Sequence, residues 1–248
     1  MSGYTQLGAF LGGDPFSLLL EYAGTFAGAI SGVRLASVKR FDWFGASVIG
    51  FVTSLGGGTL RDMCLNVPPF WMTGPSYVIT TLLATVAVAV FGRRFISERI
   101  TWFAFDTVAI SLFTVFGLEK TLACGYQWWC AIMMGVITAV FGGVLRDVLI
   151  NEVPLIFRKE LYAMACFAGA MVYVLLDWAK FDSRISSLCC IVVIFILRAL
   201  AIKYGWSVPV LKGHAHHLSM PWKGSHPPSA RHHHDVRPDG ECKGGLDK

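Results

Sequence analysis

The sequence predicts an all-α polytopic membrane protein: seven transmembrane helices, arranged as an inverted repeat of two three-helix units plus a seventh helix. Three observations lead there. The 248 residues are 54% hydrophobic and only 15% charged, with a mean hydropathy of +0.57, too apolar for a water-soluble domain and too long for a single span. Apolar runs near the roughly 20 residues that cross a bilayer recur along the chain. And GGGTLRDMCLNVPPF, from Gly56 to Phe70, is repeated as FGGVLRDVLINEVPLIF, from Phe141 to Phe157. An offset of 85 residues brings Gly57, Gly58, Leu60, Arg61, Asp62, Asn66 and Pro69 onto Gly142, Gly143, Leu145, Arg146, Asp147, Asn151 and Pro154 without a gap.

The spans are expected at about Phe16–Val38, Trp43–Leu65, Tyr77–Gly92, Ile100–Leu118, Trp128–Ile150, Leu161–Trp178 and Ile185–Tyr204. The third is short, and Pro75 suits its first turn. Short loops make sequence neighbours antiparallel partners. The same offset carries Glu21 onto Asp106, Gly32 onto Gly117, Trp43 onto Trp128 and Tyr77 onto Tyr162, so spans one to three repeat as four to six. Three is odd, so the second copy is upside down. The membrane domain then covers residues 1–211, with repeats at about 16–92 and 101–177 and the seventh helix at about 185–204. Residues 212–248 form a polar tail without apolar periodicity, expected to be disordered.

Basic residues orient the bundle. Arg34, Lys39, Arg40, Arg93, Arg94, Arg99, Arg158 and Lys159 follow spans one, three and five, against Lys120, Lys180 and Arg184 after the others. The positive-inside rule puts the N-terminus outside and the C-terminus in the cytoplasm. Met1 to Asp14 lacks the basic start of a secretory leader, so the first apolar run reads as a span. The net charge of +5 is spread over loop ends, which does not point to nucleic acid. All seven histidines lie from His214 to His234; His232 to His234 have incidental metal affinity at most. The seven cysteines show no ligand spacing and read as small packing residues. No phosphate loop, HExxH, Ser/His/Asp set or dinucleotide fingerprint is present, so no catalytic residue, metal or cofactor is assigned and no enzymatic activity is expected.

The candidate functional residues are those that a membrane helix disfavours. Gly56, Gly57, Gly58, Gly142 and Gly143 mark a bend lining a path, or else a close helix contact. Arg61, Asp62, Arg146 and Asp147 are costly in a bilayer. They either cross-pair between repeats, Arg61 with Asp147 and Arg146 with Asp62, or anchor at the interface. Glu21 and Asp106 either line a vestibule that concentrates cations or answer helix dipoles. Lys120, beside Glu119, either snorkels or projects into the path. Thr53, Ser54, Thr59, Ser111, Thr114 and Thr138 either relay a partly dehydrated ion or satisfy nearby carbonyls. Gly24, Gly28 and Gly32 stripe one face of span one for tight helix contact, and span seven, outside the repeat, reads as a brace.

GGGTLRD, NVPPFWM, FGGVLRDVL and NEVPLIFRKELYA together resemble the prokaryotic branch of the trimeric intracellular cation (TRIC) channel family, over about Phe16 to Tyr204. The resemblance implies a homotrimer with one hourglass pore in each subunit, flanked by spans two and five and conducting potassium and sodium in a prokaryotic inner membrane, with lipid around it. It also brings a rival, because related bacterial proteins look like small neutral amino-acid (glycine) transporters. A third reading is a structural trimer without a path. The animal members carry Lys-Glu-Val in span four; Gly117 to Thr121 here reads GLEKT, with the order reversed, which puts phosphoinositide binding and that style of gating in doubt.

Overall fold

The computed structural model describes residues 15–96, 99–157 and 161–205. These residues hold seven α-helices and no strand: α1 Pro15–Val38, α2 Trp43–Cys64, α3 Ser76–Ile96, α4 Arg99–Ala123, α5 Trp128–Leu149, α6 Ala163–Trp178 and α7 Ser183–Tyr204. Short 3-10 turns at Phe70–Thr73 and Leu155–Phe157 follow α2 and α5. By length and composition α1, α2, α5 and α7 can each cross a membrane, and Ser76–Phe91 and Ala163–Trp178 are shorter apolar helices. The polar tail, with its histidines, lies outside the described residues, as do Arg158 and Lys159.

The expected spans fall on these helices with shifts at the ends. The largest is in α4, which continues past Leu118 to Ala123. Lys120 therefore sits inside a helix, 1% exposed, and not in a loop. Arg34 is likewise buried in α1. Removing both from the loop count lowers each side by one cation, so the charge asymmetry is unchanged in direction.

The C-terminal ends of α2 and α5 repeat as the motifs do, whereas their N-terminal ends differ: Asp42 caps α2, and its repeat mate Gln127 makes no side-chain cap on α5. Asp42 and Asp182 cap α2 and α7 by accepting the backbone N–H of Gly45 and Arg184. After α2, Asn66 takes a positive φ of 56° while Leu65 N–H bonds Arg61 O and Val67 N–H bonds Asp62 O. After α5, Asn151 takes a φ of 57° while Ile150 N–H bonds Arg146 O and Glu152 N–H bonds Asp147 O. Asparagine tolerates this left-handed position, which lets the last carbonyls be satisfied as the chain turns.

Packing follows the repeat. The helix α1 packs against α2, α3 and α4, and α4 packs against α5 and α7. The glycine stripe of α1 works inside the subunit: a side chain at Gly24 would meet Leu112 and Phe113 of α4, and one at Gly28 would meet Ser54 of α2. The centre of the bundle is the crossing of α2 and α5. A Cβ on Gly57 would strike Thr138 O, and a Cβ on Gly142 would strike Thr53 O. Low numbers facing high in both contacts require antiparallel helices, which is the inversion of the second repeat. Thr53 and Thr138 are themselves repeat mates and pack identically, each donating its hydroxyl to a carbonyl one turn back at 2.6 Å.

This corrects one expectation. The glycine runs do not break their helices, since α2 and α5 are continuous through Gly56–Gly58 and Gly142–Gly143. Their missing side chains admit the backbone of the opposing helix at Gly57 and Gly142. Alanine at Gly57 or Gly142 should cost about 1–3 kcal/mol through overpacking. Alanine at Gly74, which is extended and whose nearest neighbour is 4.0 Å away, should leave thermal unfolding in detergent unchanged.

Candidate functional site

Just past the crossing, each of α2 and α5 delivers its Arg-Asp dipeptide into a buried cluster. Because the helices are antiparallel, the two clusters lie at opposite ends of the bundle, roughly 20 Å apart at 1.5 Å per residue.

In the first cluster Arg61 and Asp62 are both 0% exposed. Arg61 Nε donates to Asp62 Oδ1 at 2.8 Å, and Lys120 Nζ reaches the same oxygen at 2.8 Å. The second oxygen, Oδ2, accepts the backbone N–H of Phe70 at 2.8 Å, tying the loop after α2 back onto its helix. The Arg61 guanidinium lies over the rings of Phe116 and Phe70 at 4.7 and 5.6 Å. Glu21 of α1 is buried and accepts the Tyr77 hydroxyl at 2.8 Å.

The second cluster repeats this plan with different side chains. Arg146 Nε donates to Asp147 Oδ1 at 2.8 Å, and Asp147 Oδ2 accepts the N–H of Leu155 at 3.0 Å. Arg146 Nη1 also reaches Asp106 Oδ1 and Ser31 Oγ, both at 2.8 Å. Ser31 replaces Phe116 in the repeat register, so Arg146 meets a hydroxyl where Arg61 meets a ring. Arg198 of α7 completes the group with Nη2 3.5 Å from Asp106 Oδ2.

Several expectations change. Each arginine pairs with the aspartate next to it in sequence and not with the aspartate of the other repeat, because the roughly 20 Å between the clusters exceeds the reach of the side chains. Neither dipeptide anchors at an interface, and Lys120 does not snorkel: all five charges are at most 2% exposed. Glu21 and Asp106 are buried among packed helices and do not border an open vestibule in this conformation. Glu119 leaves the group entirely. One residue along a helix turns the side chain by about 100°, and Glu119 instead accepts Ser187 Oγ at 2.5 Å and Tyr173 OH at 3.3 Å, joining α4 to α6 and α7. Ser54, Thr59, Ser111 and Thr114 bond carbonyls of their own helices, like Thr53 and Thr138.

Arg198 and Ser31 were not among the sequence candidates. The signal for Arg198 is a single arginine inside the apolar run of α7; Ser31 carries none. Among the described residues no group of three or more His, Cys, Asp or Glu is placed to hold a metal ion.

Removing one partner of a buried ion pair strands the other charge, at about 3–5 kcal/mol. Asp62→Asn should therefore lower thermal stability in detergent markedly, whereas Asp177→Asn, at an exposed position, should stay within about 0.5 kcal/mol.

The comparisons with known proteins follow the same duplication. A family profile described as Glycine transporter matches residues 18–93 and again 103–178, at the 85-residue offset. The UPF0126 inner membrane protein YadS of Escherichia coli (strain K12) is 36% identical over 195 residues, covering 77% of this chain and 93% of that one. The TRIC trimeric intracellular cation channel orthologue from Rhodobacter sphaeroides has a TM-score of 0.74 at 36% identity, over 77% of this chain and 98% of the other. A second structure, solved to explain conductance through TRIC cation channels, has a TM-score of 0.72 at 34% identity, over 79% and 98%.

Proposed function

This chain belongs to the family described as glycine transporters and has the fold of the TRIC channels, and from that premise we propose that it is a passive channel for monovalent cations, potassium and sodium, with one path in each subunit of a homotrimer. Its place is a prokaryotic inner membrane, N-terminus outside and C-terminus cytoplasmic, with the membrane domain ending near residue 211 and the polar tail beyond. The name of the E. coli relative supports the inner membrane, and the loop charges support the orientation.

The observation that carries this reading is the pair of buried clusters of opposite charges at opposite ends of the α2–α5 crossing, whose charged groups described above balance in formal charge. Glu21, Asp62, Arg61 and Lys120 sum to zero, as do Asp106, Asp147, Arg146 and Arg198. Such groups are expensive at membrane depth and belong to ion pathways more than to packing. In the shut state each cation is spent on a neighbouring carboxylate. Opening separates them, water enters, and Glu21 and Asp106 then present carboxylates to a hydrated mouth, drawing cations in. The glycine faces of α2 and α5, where backbone meets backbone at Gly57 and Gly142, are the contact across which the two repeats shift. Arg61, Arg146 and Lys120 gate the path by pairing, since in the shut state they hold fixed carboxylates.

The family description favours one other reading, an alternating-access carrier for glycine, in which the two clusters open in turn. Reconstituted protein separates the two. Unitary currents in symmetric KCl support the channel; saturable glycine uptake without unitary current supports the carrier. Lys120→Ala removes one contact to Asp62 and should raise open probability several-fold; unaltered currents would take Lys120 out of the gate.

A further inference from the structure

Among the described charged residues, repeat symmetry explains every member of the two clusters named above but one in each. The 85-residue shift places Leu35 where Lys120 stands, so the second cluster has no lysine to match the one that reaches Asp62. Its second cation comes from α7, the helix that lies outside the repeat. Arg198 is 2% exposed, its Nη2 lies 3.5 Å from Asp106 Oδ2, and its guanidinium sits 4.6 Å from the ring centroids of both Phe103 and Tyr162. Those two rings belong to α4 and to the residue preceding α6, so one side chain on α7 grips both elements against which that helix packs.

We propose that Arg198 is a positioning residue for the gate at the second cluster, which makes α7 the element whose movement releases that end of the path. The proposal rests on the channel reading for its functional consequence, but the geometry of the lock stands apart from what passes. Two differences between the ends follow from it. The first cluster is closed from within the repeat by the compact ammonium of Lys120, held by one carboxylate oxygen. The second is closed from outside the repeat by a planar guanidinium held jointly by a carboxylate and two aromatic faces, a set of contacts lysine matches only in charge. Displacement of α7 withdraws the Arg198 cation from Asp106 while Arg146 stays on its own helix beside Asp147. The second cluster is thereby left with an excess negative charge at the mouth, the sign that admits cations.

The test compares full-length Arg198→Gln, Arg198→Lys and Lys120→Gln in liposomes, reading potassium currents together with hydrogen exchange at the two backbone amides that report the clusters, Leu155 for the second and Phe70 for the first. Arg198→Gln should raise open probability about tenfold, the scale of one lost charged contact, and speed exchange around Leu155 while leaving Phe70 protected. Lys120→Gln should do the converse, and Arg198→Lys should restore part of the closed state. Unchanged currents with unchanged exchange at Leu155 would overturn the proposal. So would faster exchange at both amides without rescue by lysine, which is what a simple brace produces. Wild-type protein that passes no potassium, together with one-sided exchange in Arg198→Gln, would refute the channel reading and uphold the lock. If Arg198→Gln does not fold, Phe103→Leu removes one ring from under the guanidinium and should give a smaller effect of the same sidedness; no effect at Leu155 would again overturn it.

Discussion

Asp62 and Asp147 each use one carboxylate oxygen to hold the arginine before them and the other to hold the backbone amide eight residues later. A charge in this position has no water to turn to, so every lone pair must be met by protein. The consequence is geometric. The helix cannot end, the chain cannot turn at its asparagine, and the next element cannot begin anywhere else without stranding one of these groups. The same three-part contact occurs twice, and the positions of α3 and α6 relative to α2 and α5 descend from it.

The crossing of α2 and α5 is the complement of those contacts. Where the clusters fix, the glycines free: backbone meets backbone at Gly57 and Gly142 with no side chains to interlock. The bundle thus has buried ion pairs at both ends and a close backbone contact, with Leu145 packed on Gly56, in the middle.

The two ends are alike in plan and unlike in substance. Phe116 and Ser31 occupy equivalent places, so Arg61 is wedged by rings while Arg146 gathers three polar partners. Glu21, one methylene longer than Asp106, turns to Tyr77, whereas Asp106 reaches Arg146 directly. The second cation of each cluster is not shared by the repeat: it comes from α4 in one case and from α7 in the other. Divergence of this kind lets opposite ends answer different forces.

Much was settled by the chain alone. Apolar length fixes helices at membrane depth because an unbonded backbone is intolerable there, and a gapless 85-residue repeat over an odd number of spans forces inversion. Those arguments need no partner, so the helices and their order were legible, and the Arg-Asp dipeptides stood out by their cost at membrane depth. What a residue faces is another matter. Glycine is equally suited to a bend and to a close contact, and only the opposing carbonyls of Thr53 and Thr138 decide for contact. Arg61 has the same cost in a bilayer whichever aspartate it meets, so its choice of Asp62 waited on the distance between the ends. Glu119 and Lys120 are neighbours in sequence, yet a turn of one residue sends them to different helices. Arg198 belongs to no repeat, and its place beside Asp106 exists only once α7 has packed. Composition and periodicity constrain a residue's own segment, whereas charge pairing is decided between segments, by distances that the folded bundle alone supplies.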